Sequence, residues 1–123
     1  MNRALKTLLC VDDEENSLFL RKKVLEKAGY RVFTASSGEE ALKIYESEPI
    51  DAVILDYFMG KMNGLKVAST LKKMGATIPI IILSAYSPLL DEALGLVDMW
   101  ITKASVDSSQ LVELIGELQP PVA

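Results

Sequence analysis

Histidine is absent from the 123-residue chain, which removes the imidazole base of a nucleophile triad, the imidazole zinc ligand and any phosphohistidine carried by the chain itself. Cysteine occurs once, as Cys10, so no intramolecular disulfide can form. Its place in the apolar run Leu8-Leu9-Cys10-Val11 reads as a small buried hydrophobe. No apolar run is long enough to span a bilayer. The stretch from Leu5 to Val11 is interrupted by Lys6 and runs into Asp12-Asp13-Glu14-Glu15, which is unlike a signal peptide. These absences favour the cytoplasm. A net charge of −4 argues against a nucleic-acid surface spread over the domain. Arg21, Lys22, Lys23 and Lys27 form a local basic cluster, expected to be a solvated helix face.

What is present is the balance of a globular protein, with 50% apolar and 24% charged residues. The length suits one domain, taken as residues 1–119, with 120–123 as a tail or the start of a linker. Short aliphatic and β-branched runs at Lys6–Val11, Arg31–Ala35, Ala52–Leu55, Pro79–Leu83 and Met99–Thr102 predict strands. Helical patterns lie between them. The first covers about Glu15 to Ala28, with Leu20, Val24 and Ala28 as its apolar stripe and Leu18 and Leu25 widening it. A capping box at Ser37-Gly38-Glu39-Glu40 opens the second, which would bury Ala41, Ile44 and Tyr45. The third runs from about Gly64 to Met74 on Leu65, Ala68 and Leu71, and a short fourth from about Pro88 to Leu96. Asp107 and Gln110 begin the fifth, which carries Leu111, Leu114, Ile115 and Leu118 and stops at Pro120-Pro121.

Five alternations of strand and helix predict a parallel sheet covered on both faces. Right-handed crossovers leave few topologies, and the usual one at this size is a doubly wound, flavodoxin-like α/β sandwich with strand order 2-1-3-4-5 and five helices. That order sets the ends of the first and third strands side by side at the switch point. Asp12 and Asp13 would meet Asp56 there, with Ser84 after the fourth strand and Lys103 after the fifth on the same edge. Clustered like charges call for a hard cation, and an all-oxygen ligand set completed by water suits Mg²⁺.

This edge has the parts for moving a phosphoryl group onto a carboxylate. Asp56 would be the nucleophile, Asp13 a direct metal ligand and Asp12 a ligand through water, while Lys103 would donate to a phosphoryl oxygen and Ser84 would bond the group on arrival. Each has a plainer reading: a turn aspartate, an acidic helix start, a solvated strand end, a turn serine.

Together the segments Val11-Asp12-Asp13-Glu14, Asp56 through Gly64, Ile82-Leu83-Ser84-Ala85 and Trp100-Ile101-Thr102-Lys103 resemble the receiver domain of two-component response regulators over essentially the whole chain. The resemblance implies that a sensor histidine kinase or phosphotransfer protein donates a phosphoryl group to Asp56 in an Mg²⁺-dependent step catalysed largely by the receiver, with the Phe58 backbone carbonyl as a further metal ligand. It also implies a switch in which Ser84 moves toward the phosphate and Trp100 turns inward behind it. The altered surface of the fourth helix, fifth strand and fifth helix would then be read by an output domain or partner, and is a site for a homodimer. On this reading the chain is a signalling phosphoacceptor with no separate substrate, binding neither nucleic acid nor membrane.

Ala104 stands where the family usually has a cis-linked proline, which predicts a trans or strained bond after Lys103, and Gly60 stands where a proline often follows Met59. Phe58 and Tyr86 are placed to shield an acyl phosphate from water. A haloacid-dehalogenase phosphatase would need an aspartate at Phe58, and a flavodoxin-like carrier would need small residues in place of Asp12-Asp13-Glu14-Glu15. The alternative left open is a receiver-shaped interaction module that works without phosphate.

Overall fold

In the computed structural model the chain forms β1 (Thr7–Val11), α1 (Glu15–Lys27), β2 (Arg31–Ala35), α2 (Gly38–Ser47), β3 (Ala52–Asp56), α3 (Gly64–Lys73), β4 (Ile80–Ser84) and β5 (Met99–Thr102). A short 3-10 turn (Lys103–Ser105) and a C-terminal helix (Ser108–Leu118) complete it. The structure describes residues 5–60, 62–85 and 95–121. Most of the predicted fourth helix, and Tyr86, lie outside them, so four α-helices stand among the described residues where five were expected.

All strand pairs are parallel and the sheet order is β2-β1-β3-β4-β5, the predicted one. β1, β3 and β4 are buried at every position, as central strands covered on both faces must be. Alternation along them divides the core in two. Leu9, Val11, Val53, Leu55, Ile80 and Ile82 face α2 and α3, where they meet Ala41, Leu65, Ala68 and Leu71. Leu8, Cys10, Ile54, Ile81, Leu83 and Ile101 face the other way, onto Leu18 and Leu25 of α1 and Ile115 of the C-terminal helix. Each such side chain removed from water contributes about 1.5–3 kcal/mol before entropy is counted.

Helix starts are set by local side-chain chemistry. Glu14 caps α1 by accepting from Asn16 and Ser17 backbone N–H groups at 3.2 and 2.7 Å, and the Ser17 hydroxyl and these backbone bonds hold its carboxyl below the usual range. Asn63 caps α3, and Asp107 with Gln110 completes the predicted capping box. At α2 the box is half formed. Ser37 accepts from Glu40 N at 3.1 Å, but the Glu40 carboxylate turns back to the Ser36 hydroxyl at 3.2 Å instead of to Ser37 N. The apolar stripe of α1 is also rotated from expectation: Leu18 and Leu25 are buried, whereas Leu20 is 63% exposed.

The chain's last described residues are tied to the body. Lys6 N donates to Pro121 O at 2.9 Å, and the Tyr30 hydroxyl donates to Gln119 O.

Candidate functional site

Strand register brings the acids together. Val11 lies opposite Leu55, so the next residue on each strand sets Asp12 against Asp56. Asp56 lies opposite Leu83 and Ser84 opposite Thr102, which puts Ser84 and Lys103 at the same edge. Asp56 and Ser84 prove to be the final residues of β3 and β4 and not the first loop residues after them. Both are buried, as is Asp12, while Asp13 is exposed.

One carboxylate oxygen from each of Asp12, Asp13 and Asp56 can be chosen so that all three lie within 4.8 Å of one another. The pairing of this cluster with cations is partial. Lys103 Nζ donates to Asp56 Oδ2 at 3.1 Å from a side chain that is 39% exposed. Asp12 Oδ1 accepts from Glu14 N at 2.9 Å, and Asp12 Oδ2 from Arg21 Nη2 at 3.3 Å. Burial pushes the Asp56 carboxyl above its ordinary value; Lys103 pulls it back, and the neighbouring Asp12 adds to the rise. Carboxylate oxygens converging from the end of β3 and the loop after β1, two of the three side chains buried, make a donor set that fits a small hard cation.

The loop after β3 shapes the acceptor end of that strand. Tyr57 N donates to Leu83 O at 2.9 Å, and Gly64 N donates to Tyr57 O at 2.9 Å, closing the loop back onto the strand. Gly64 is required there, because a Cβ would stand 2.7 Å from Asp56 O and 2.9 Å from Ile82 Cδ1. Gly60 takes φ +67°, a path that proline cannot adopt. Phe58 is 56% exposed, its ring edge-on to Tyr57 at 4.7 Å. Trp100, half-buried on β5, also packs against Tyr57, with ring centroids 5.5 Å apart. The Lys103–Ala104 peptide is trans, since the described residues contain no cis bond.

Every residue singled out from the sequence as an acid, hydroxyl or lysine of the site therefore lies at one edge of the sheet. Arg21 is the residue that sequence reasoning missed. Grouped with Lys22, Lys23 and Lys27 as solvated, it is instead packed against Asp12 with only 9% of its side chain exposed. The sequence carries the signal, since Leu18, Arg21 and Leu25 fall at i, i+3 and i+7 on one helix face, but the stripe of Leu20, Val24 and Ala28 competes with it.

Comparison with known proteins agrees with this geometry. The family model of the response regulator receiver domain matches residues 8–115. The alkaline phosphatase synthesis transcriptional regulatory protein PhoP of Bacillus subtilis is 42% identical over 101 residues, which cover 80% of this chain and 42% of that protein. The chain thus spans less than half the length of such curated relatives. Among solved structures, the response regulator TrrA of Thermotoga maritima, in complex with Mg²⁺ and BeF, superposes with TM-score 0.82 at 39% identity, covering 92% of this chain and 98% of that one. The chemotaxis protein CheY4 of Vibrio cholerae superposes with TM-score 0.85 at 25% identity, covering 94% and 99%. Fold, edge-on carboxylates and the family match lead to one conclusion: this chain belongs to the receiver domains of two-component response regulators.

Proposed function

We propose that Asp56 is the phosphoacceptor and that the donor is a sensor histidine kinase or a phosphotransfer protein. The observation that carries this is the Asp56 carboxylate, fixed at a sheet edge with Lys103 on one oxygen and the Asp12 and Asp13 carboxylates beside it. A carboxylate oxygen of Asp56 attacks the donor's phosphorus, the P–N bond to the donor imidazole breaks, and the new P–O bond leaves an acyl phosphate on this chain. Asp12, Asp13, Asp56 and the Phe58 carbonyl would hold Mg²⁺, which when bound neutralises charge on the phosphoryl oxygens. Lys103 then exchanges its bond to Asp56 for one to the phosphoryl group, and the Ser84 hydroxyl donates to another oxygen.

The readout is tied to where those groups sit. Ser84 ends β4 and Trp100 lies on β5, so a shift of the hydroxyl changes packing at this side of the sheet. We assign the output surface to β5 with the segment before it and the C-terminal helix after it, used for a partner, an output domain or a second copy of the chain. Docking of the donor is supported by a groove of about 250 Å³ between α1 and the C-terminal helix, lined by Leu20, Arg21, Leu83, Lys103, Val106 and Leu111. Of these Leu20 is 63% exposed and offers the groove an apolar contact. Such a partner fits a cytoplasmic protein, and no helix among the described residues is long and apolar enough to cross a membrane.

Intact mass after incubation with Mg²⁺ and acetyl phosphate tests the proposal. The expected result is a phosphoryl adduct that needs Mg²⁺ and is lost in Asp56→Asn, with a concurrent change in Trp100 fluorescence. No adduct, together with no Trp100 response to beryllofluoride, would leave a phosphate-independent interaction module.

A further inference from the structure

Arg21 sits on the second turn of α1 directly behind the acid cluster, and its bonding is incomplete. Nη2 makes a single, long contact to Asp12 Oδ2 at 3.3 Å, in place of the two-pronged clamp that a guanidinium forms with a carboxylate it is built to hold. Nη1 is buried without a hydrogen-bond partner. A guanidinium desolvated for one long bond, with a second buried donor unmade, is not explained by its hydrogen bonding, which leaves its charge as the property to account for. What Arg21 does supply is a full positive charge beside Asp12, whose other oxygen is bonded to Glu14 N.

We propose that Arg21 is a resident counter-ion that competes with the divalent cation for Asp12 and so sets the metal affinity of the site. This role rests on the metal reading of the site and adds to it a residue that acts against binding. Asp12 has no exposed surface, and its two oxygens are shared between a backbone N–H and this guanidinium. A dication approaching Oδ2 therefore meets a fixed like charge at contact distance from the same oxygen, in surroundings where water screens poorly. The same charge keeps Asp12 compensated when no cation is held, so folding does not depend on metal. Arg21 thus trades affinity for independence: the site stays formed without the cation and binds it more weakly than three bare carboxylates would.

Direct calorimetric titration of Mg²⁺ into the intact protein, beside Arg21→Gln and Arg21→Lys, tests this without reference to phosphorylation. Gln removes the charge and keeps polar length; Lys keeps the charge and loses the fork. The expected result is that Arg21→Gln binds Mg²⁺ on the order of tenfold more tightly, an effect that shrinks with added salt, while Arg21→Lys stays near wild type. Thermal melts of the same samples add a second readout. Arg21→Gln should melt lower than wild type without Mg²⁺ and recover with it, whereas the wild-type melting temperature should move little. Equal or weaker binding in Arg21→Gln would overturn the inference, as would equal tightening in both variants, which would trace the effect to packing and not to charge. If the wild type and both variants fail to bind Mg²⁺, the metal reading itself falls and this inference with it; binding that is unchanged in Arg21→Gln removes only the inference.

Discussion

Lys103 Nζ reaches Asp56 Oδ2 at 3.1 Å across 47 residues of sequence, so the ammonium that tempers the buried carboxylate at the end of β3 is delivered by the turn that follows β5. Lys103 only partly offsets the burial that raises the Asp56 carboxyl, and Asp12 works in the same direction as burial.

The pH dependence of stability is set by that balance. A carboxyl raised on folding binds its proton more tightly in the native than in the unfolded chain, so stability falls as pH climbs from the ordinary value of 3.8 through the folded value, and stays lower above it. Asp56→Asn should therefore be more stable than wild type by about 1 kcal/mol at neutral pH. Urea unfolding should show that gain shrinking as the pH is lowered through the raised folded value toward 3.8, and levelling off below it. Lys103→Met should raise the Asp56 titration midpoint further, read from its carboxyl carbon by NMR.

Gly64→Ala places a methyl group against a backbone oxygen, which cannot rotate away as a side chain can. We expect a loss of about 1–3 kcal/mol in chemical denaturation. Slower phosphorylation should accompany it, because the atom displaced is the carbonyl oxygen of Asp56 itself.

Tyr57 contacts both Phe58 and Trp100 and joins the residue after Asp56 to β5. Tyr57→Leu should cost about 1 kcal/mol, the size of one aromatic pair. It should also reduce the Trp100 fluorescence change on addition of beryllofluoride with Mg²⁺; an undiminished change would mean that Trp100 responds through Ser84 alone.

Burial pushes the Cys10 thiol up to about 12. Native protein should resist a thiol reagent at mildly alkaline pH and react fully in denaturant, so that the labelling rate reports global opening. Because the unfolded thiol ionises from about 9.0, stability should fall as pH rises above that value.

The strands, their order and the edge they build were readable because apolar runs of about five residues between helical patterns have few parallel arrangements. The acids, Ser84 and Lys103 were readable because each falls at the end of such a run. The rotation of α1 was not foreseen: Leu20, Val24 and Ala28 form as good a stripe as Leu18 and Leu25, and only tertiary packing decides between them. That choice also hid Arg21, whose burial depends on the face chosen. The half-formed box at α2 had a similar cause, since Ser36 and Ser37 offer Glu40 competing hydroxyl and N–H partners.

Asp12 and Asp13 come after β1, Asp56 ends β3, Ser84 ends β4 and Lys103 comes after β5. Among the described residues β5 pairs with β4 alone, and it is the last of this sheet's five strands in chain order. A nascent chain that has docked four strands carries the clustered acids but not the ammonium that bonds Asp56. The acid cluster is therefore complete in charge balance only when β5 has joined the sheet. On the proposed reading of Asp56, a phosphodonor would meet the lysine-paired carboxylate only in molecules whose fifth strand is in place, so phosphorylation would report on the integrity of the fold.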